Sequence, residues 1–260
     1  MLADTVTVRM RSSRTPAATG IGPITLSTGQ TVELPLTTRA TMVGAVFPAP
    51  WESVEPLLPA GLRPLRVTPG TAAVTFLSVD YHHVGVEGID PYDEFAVVVP
   101  AVRSAAPSLP VGSALLRATS GFVWYLPVTT EPARALGVDV WGYPKVVADV
   151  AHEDDDARRR TTVAVDGTQL VTLSVERPPS VPLRRDGYNY TVADGSLCRV
   201  PTEVSGRVGA WPFTRRASVS FGDHPRVAPL AALDLSGRAL ARLAVDGTAR
   251  FHPGEPVEDA

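Results

Sequence analysis

Twenty-five prolines in 260 residues, joined by 21 glycines, constrain this chain more than any other feature. A proline inside a helix removes a hydrogen bond and clashes with the preceding turn, so a chain punctuated this often has little room for long helices. The segments between the prolines read as strands. Residues 72–81 alternate branched or aromatic with small side chains, which is the period of a strand. Residues 94–102 carry Val97, Val98 and Val99 in succession, too continuous for a strand with one wet face and suited to burial on both. Residues 121–128 add Phe122, Trp124 and Tyr125. An earlier strand at 31–38 is interrupted by Pro35, and a second apolar run follows at 41–48. Residues 145–152, 160–165 and 168–176 form a meander whose second turn, Asp166-Gly167, is a strong two-residue hairpin signal.

Only short helices are expected. At 50–58, Pro50 and the acidic Glu52 and Glu55 favour a first turn that Pro59 and Gly61 stop. At 131–136 a second helix would end with Gly137 as its C-terminal cap. Residues 178–182 read as a loop, 186–198 are polar and aromatic without a period, and 215–221 alternate again. After His224-Pro225 a helical stretch is expected to about Leu243, broken near Ser236-Gly237, with a last strand at 245–251. The fold class is therefore mainly β (α+β), an antiparallel sheet or barrel with a few short peripheral helices. No repeat or low-complexity linker divides the chain, so one domain is expected over 23–252, after an extension at 1–22 and before a loose acidic tail at 253–260.

Composition removes several function classes. A net charge of −3, with Arg158-Arg159-Arg160 offset by Glu153 to Asp156 across a turn, offers no basic groove for nucleic acid. The single cysteine, Cys198, excludes an intrachain disulfide and reads as a small buried hydrophobe in a reducing cytoplasm. Residues 1–15 lack the apolar run of a signal peptide, and no stretch approaches the length of a membrane span. His82-His83 point to opposite faces of a strand and so do not share a metal ion, and His152 sits among acids in a solvated turn. Gly-rich phosphate loops and serine-hydrolase motifs are absent, so no nucleotide cofactor is expected.

Chemistry concentrates in Val138-Asp139-Val140-Trp141-Gly142-Tyr143-Pro144-Lys145-Val146-Val147, which holds the chain's one lysine against 23 arginines. A lysine kept where arginine serves for charge and solubility points to a task that a guanidinium does not perform. An amine sheds its proton and attacks a carbonyl carbon, whereas the guanidinium stays charged. Apolar neighbours would strip water from the ammonium and lower its pKa. Composition alone also allows a surface lysine at a strand edge.

The run Glu131-Pro132-Ala133-Arg134-Ala135-Leu136-Gly137, followed by Trp141-Gly142-Tyr143-Pro144-Lys145, resembles the signature of the acetoacetate decarboxylase superfamily. Leu57-Leu58-Pro59-Ala60-Gly61-Leu62-Arg63-Pro64 and Tyr92-Asp93-Glu94, with Val97 to Pro100 behind them, match it in order and spacing. The resemblance spans roughly residues 40–240. It implies a cone-shaped β-barrel with Lys145 inside as the Schiff-base lysine, and Glu94 as an active-site acid that moves protons. Tyr92 beside Glu94 either hydrogen-bonds substrate or caps its strand. Tyr143 would share the face of Lys145 if the strand has begun by then, and Trp141 is a further wall candidate for substrate.

Departures accompany the matches. The family's decarboxylases carry Arg-Glu where this chain has Val138-Asp139, a second lysine where it has Val146, and a glutamate where it has Leu77. In the family a neighbouring cation helps make the lysine nucleophilic. The expected function is a lyase that decarboxylates a β-keto acid through a Lys145 imine and enamine, the amine being the only electron sink required. The alternatives are an aldolase-dehydratase joining a pyruvate-like keto acid to an aldehyde, a non-catalytic barrel for a small apolar ligand, and a structural subunit of a larger assembly. The expected partner is a small-molecule keto acid, and the family implies a homo-oligomer.

Overall fold

The structure, a computed structural model, describes residues 22–105, 121–235 and 237–257. Residues 1–21 of the expected extension and 258–260 of the expected tail lie outside it. The chain opens with a small hairpin, β1 (Ile24–Thr25) and β2 (Thr31–Val32), then runs through the long β3 (Leu36–Pro50) into α1 (Trp51–Val54) and a 3-10 turn at Glu55–Leu57. Next come β4 (Leu62–Pro64), β5 (Thr71–Val84), β6 (Tyr92–Val99), β7 (Ala101–Arg103) and β8 (Gly121–Val128). The helix α2 (Glu131–Trp141) leads to β9 (Lys145–Val147), β10 (Asp149–Asp154), β11 (Arg158–Val165) and β12 (Thr168–Glu176). Two long strands follow, β13 (Val181–Ala193) and β14 (Ser196–Thr214), then β15 (Ala217–Phe221), α3 (Ala228–Ala231), β16 (Ala239–Phe251) and β17 (Glu255–Pro256).

Seven strands close a ring in the order β13, β14, β16, β3, β5, β6, β8, with β8 returning to β13 through Asn189 opposite Gly121 and Tyr190 opposite Phe122. Pairing is antiparallel around the ring except at this closure, which is parallel, as is the contact of β8 with β9. The expected β-barrel with few, short helices is thus the fold, and closure removes most of the exposed strand edges that invite aggregation. Alternation sorts side chains to its two faces. In β5, Ala73, Leu77, Val79 and Tyr81 join a cluster that also draws on β6, β8 and β16, strands on different sides of the ring, and so fill its inside. Ala72, Val74 and Phe76 of the same strand face outward.

That outer face is covered by a second sheet in the order β10, β11, β12, β15. Val150, Val163, Leu170, Leu173 and Val175 from it pack against Phe47, Phe76 and Phe95 of the barrel. All three phenylalanines are fully buried, each contributing roughly 1.5–3 kcal/mol of hydrophobic stabilisation. The valine run behaves as expected: Val98 faces the inner core, while Val97 and Val99 face the outer one. At the second sheet's turn, Asp166 and Gly167 take positive φ of 50° and 73°, the left-handed pair a tight hairpin demands.

Several expectations are corrected. The helix expected at 131–136 continues to Trp141 and is capped by Gly142 at φ 66°, so Gly137 is a helix-interior residue and not a cap. Residues 186–198, which show no period, lie in β13 and β14, and the helix expected up to Leu243 is only four residues long before β16 takes over. The acidic tail is not loose where described: Pro256 and Glu255 pair with Cys198 and Arg199, and Val257 donates to the Leu197 carbonyl. Cys198 is half-buried in a strand. His152 is not solvated; its side chain is 9% exposed, with Nδ1 3.0 Å from Thr161 Oγ1 and Nε2 3.3 Å from Asp93, so it ties the second sheet to β6. No helix among the described residues is long and apolar enough to cross a membrane.

Candidate active site

Three strands and a turn carry the site. β8 lies between β6 and the short β9, with Glu94 opposite Val128 on one side and Lys145 opposite Leu126 on the other. Leu126 and Val128 are two residues apart and both belong to the inner cluster, so Lys145 and Glu94 face the inside of the barrel from either flank of β8. One strand further, Val79 opposes Glu94 and Tyr81 opposes Tyr92.

Lys145 is aimed by what precedes it. Thr130 caps α2 by accepting from the Ala133 N–H at 3.3 Å, and Gly142 closes the helix through bonds from its N–H to the carbonyls of Gly137 and Val138. A residue with a Cβ at position 142 would meet Ala193 Cα and the Val192 carbonyl at 2.8 Å, so the chain passes β13 only as glycine. The Lys145 N–H then bonds the Tyr143 carbonyl at 2.7 Å, a three-residue turn centred on Pro144, whose fixed φ suits it. The stem of Lys145 lies against Gly137, where an added Cβ would fall 2.5 Å from both Cδ and Cε. A glycine inside a helix costs about 0.5–1 kcal/mol relative to alanine, and here it makes the channel that the lysine occupies.

The amine ends in a dry, tyrosine-rich corner. Its Nζ lies 2.8 Å from Glu94 Oε2, with side chains only 5% and 7% exposed, and 3.3 Å from the Tyr92 hydroxyl. It also sits 5.1 Å from the centre of the Tyr92 ring, which stacks on Tyr81 at 4.7 Å. The Tyr81 hydroxyl donates to Glu94 Oε1 at 3.4 Å. Burial pulls the Lys145 pKa down, but the charge of Glu94 and the contact with Tyr92 outweigh it, and the net shift is upward. Burial pushes Tyr92 up to about 12 against the pull of Lys145, and pushes Tyr81 well up with Glu94 adding to it. Tyr143 is raised by burial too, its hydroxyl near Asn189 and within range of the Glu94 charge. Glu94 is the carboxylate nearest to the Lys145 amine, within hydrogen-bonding distance of it.

The structure therefore brings together four of the five residues the sequence singles out: Lys145, Glu94, Tyr92 and Tyr143. Trp141 stands one step back. Its indole N–H is bound to the His252 carbonyl at 2.9 Å, and its ring packs on Tyr143 and Phe251, so it braces Tyr143 and anchors the end of α2. Tyr143 precedes β9 and reaches the inner core through the turn at Pro144, not through strand alternation. Sequence reasoning missed Tyr81 and Gly137. Tyr81 ends a recognisable strand, but only the β5–β6 register sets it opposite Tyr92. Val146 packs with the outer cluster, Leu77 lies in the inner one, and Asp139 accepts from the Ser27 N–H at 2.7 Å.

The family model described as "Acetoacetate decarboxylase (ADC)" matches residues 15–260. No curated protein sequence matches the chain. Among solved structures, an acetoacetate decarboxylase is similar with a TM-score of 0.62 and 16% identity, covering 88% of this chain and 91% of that one. An acetoacetate decarboxylase-like enzyme from Sphingomonas wittichii RW1 gives 0.60 and 16% identity over 89% and 97%. The enduracididine biosynthesis enzyme MppR, complexed with the condensation product of pyruvate and imidazole 4-carboxaldehyde, gives 0.57 and 16% identity over 85% and 88%. At such identity the structures establish a shared fold.

Proposed function

Because the chain belongs to the acetoacetate decarboxylase family, we propose that it is a carbon–carbon lyase that works through an imine on Lys145. The observation that carries this reading is the buried contact of Lys145 Nζ with Glu94 at 2.8 Å inside the barrel. A desolvated amine beside a proton acceptor is what carbonyl capture requires. In the proposed course, Glu94 takes a proton from the ammonium and the free amine attacks the substrate carbonyl carbon. Loss of water then leaves an iminium. With a β-keto acid, the bond to the carboxylate breaks, carbon dioxide leaves, and the electron pair moves into the enamine. Glu94 returns a proton to carbon, and water releases the ketone. The hydroxyls of Tyr92 and Tyr81, held neutral by burial, are suited to donate to the substrate oxygen.

A second reading, aldol addition and dehydration between a pyruvate-like keto acid and an aldehyde, has its own support. The groups that bear on Lys145 are the Glu94 carboxylate and the neutral Tyr92 hydroxyl, and no cation among the described residues acts on it. Val146, where the decarboxylases carry a second lysine, packs toward the outer core. Without that cation the chain lacks a group the decarboxylases use to activate the lysine, whereas the enamine of the second reading forms by proton loss from the same imine and then attacks an aldehyde. Borohydride reduction in the presence of acetoacetate or pyruvate tests both readings. Each should add its own mass to the peptide holding Lys145, the one lysine of the chain. Carbon dioxide release with acetoacetate favours the first reading, and a condensation product from pyruvate and an aldehyde favours the second. A folded protein that gives no adduct with either acid would falsify the imine.

A further inference from the structure

On the outside of the barrel, where the end of β14 meets the starts of β15 and β16, a cleft of about 470 Å³ is lined by Trp211, Phe213, Arg215, Arg216, Arg238 and Arg242. It is distinct from the site of Lys145. Ala241 and Leu243 of β16 face the inner core, so Arg242 between them projects to the opposite side. No acidic side chain lines the cleft among the described residues.

Its rings and charges are not those of an ordinary surface. Trp211 is 52% exposed and Phe213 60% exposed, and Phe213 holds a φ of 48°, a left-handed conformation that a bulky residue rarely adopts. Arg242 is buried, its side chain 7% exposed, with Nη1 2.9 Å from the Glu176 carbonyl and 3.3 Å from its carboxylate. Its Nε–H has no partner. A guanidinium stays charged when buried, so Arg242 sets a fixed positive charge in the floor of the cleft. Glu176 is also held by Arg216 at 2.5 Å, so one carboxylate serves two of the four arginines of the cleft. The contrast is a second cleft of about 470 Å³ between β13, β14, β16 and β3, where Arg39 faces Asp246, Arg184 pairs with Glu203 and Arg207 bonds Ser180.

We infer that the cleft at Trp211 is a second binding site, for a small molecule that joins a carboxylate or phosphate group to a flat apolar ring. The arginines supply charge-assisted, forked donors for the anion. Trp211 and Phe213 supply faces on which a ring stacks. The volume is that of a small-molecule site.

Phenyl phosphate, benzoate and inorganic phosphate, each titrated into the full-length protein by calorimetry and tryptophan fluorescence, test this. Phenyl phosphate or benzoate should saturate at submillimolar concentration, which of the two binds tighter identifying the anion. Inorganic phosphate should bind at least about tenfold more weakly, for want of the ring. The fluorescence change should vanish in Trp211→Phe while the calorimetric binding persists. Arg215→Ala and Arg238→Ala, both at exposed positions, should each weaken binding by about fivefold or more without moving the unfolding temperature. Three results overturn the site: no saturation by either aryl anion up to about 10 mM, binding unchanged in both arginine variants, or a self-association in solution that shields Trp211 from a soluble quencher.

Discussion

Glu94 has two opposed effects on Lys145, and a single substitution separates them. Its carboxylate holds the ammonium and raises the lysine pKa, which suppresses the reactive amine near neutrality. In the proposed reaction it is also the acceptor through which that proton leaves. Glu94→Gln removes the charge and keeps the shape, so the acid limb of imine formation should move to lower pH, toward the value that burial alone would set. Overall turnover should nevertheless fall by about 10² to 10⁴, the usual contribution of an acid–base group. Borohydride trapping against pH reads the first effect and steady-state rate reads the second; a limb left in place with turnover intact removes Glu94 from the mechanism. Gly137 makes a complementary case. Gly137→Ala adds helix propensity worth about 1 kcal/mol, yet its Cβ would fall on the lysine stem. The expected result is a protein close to wild type in urea unfolding whose trapping rate with pyruvate drops at least about tenfold. Equal trapping would mean that the stem moves aside without cost. Lys145 and Glu94 were legible in the sequence because each sits in a local run. Tyr81 and Gly137 were not, because their roles depend on a strand register and on a helix that runs past its apparent stop.

At the scale of elements, α2 runs past a sequence signal that favours a stop. A glycine after Leu136 looks like a C-terminal cap, and Val138 and Val140 are poor helix formers. Tertiary contacts override both signals. Trp141 is anchored to the His252 carbonyl, and Gly142 is the left-handed residue that ends the helix. The N-terminal cap, by contrast, is local and readable. Thr130→Ala should lower stability by about 1 kcal/mol, within the usual 0.5–2, without shifting the pH dependence of imine formation. Denaturant unfolding and trapping on the same variant check the two halves of that statement. The long strands β13 and β14 carry no periodic sequence signal, for a different reason. Exposed and half-buried positions dominate both, so the alternation that marks a strand with one dry face is missing. β16 failed from the other side. Ala239-Leu240-Ala241-Arg242-Leu243 has helical propensity, but it lies between β14 and β3, where pairing on both edges decides its conformation.

For the whole molecule, a ring of strands closed around ionisable side chains ties stability to pH in one direction. Tyr81, Tyr92 and Tyr143 all carry raised pKa values inside the barrel, chiefly because burial penalises the phenolate, and Lys145 is raised as well. A group raised on folding keeps its proton in the native state after the unfolded chain has lost it. Above the unfolded values, 10.0 for tyrosine and 10.5 for lysine, the unfolded state therefore binds fewer protons, and stability falls as pH rises. The stabilisation is fully present below pH 10 and is lost through the folded values, about 12 for Tyr92. Each such group contributes a slope of up to about 1.4 kcal/mol per pH unit in that window. Urea unfolding from pH 8 to 12 should thus show a plateau and then a steep alkaline decline. Tyr143→Phe should flatten the decline by close to one group's share, because it removes a titrating proton and keeps the ring that packs on Trp141. Absorbance of the folded protein should show the buried tyrosines silent until the barrel opens. Phenolate appearing near pH 10 in a protein still folded by circular dichroism, and diminished in Tyr143→Phe, would mean that the inside of the ring is wet, and a wet interior would also remove the desolvation on which the proposed reactivity of Lys145 depends.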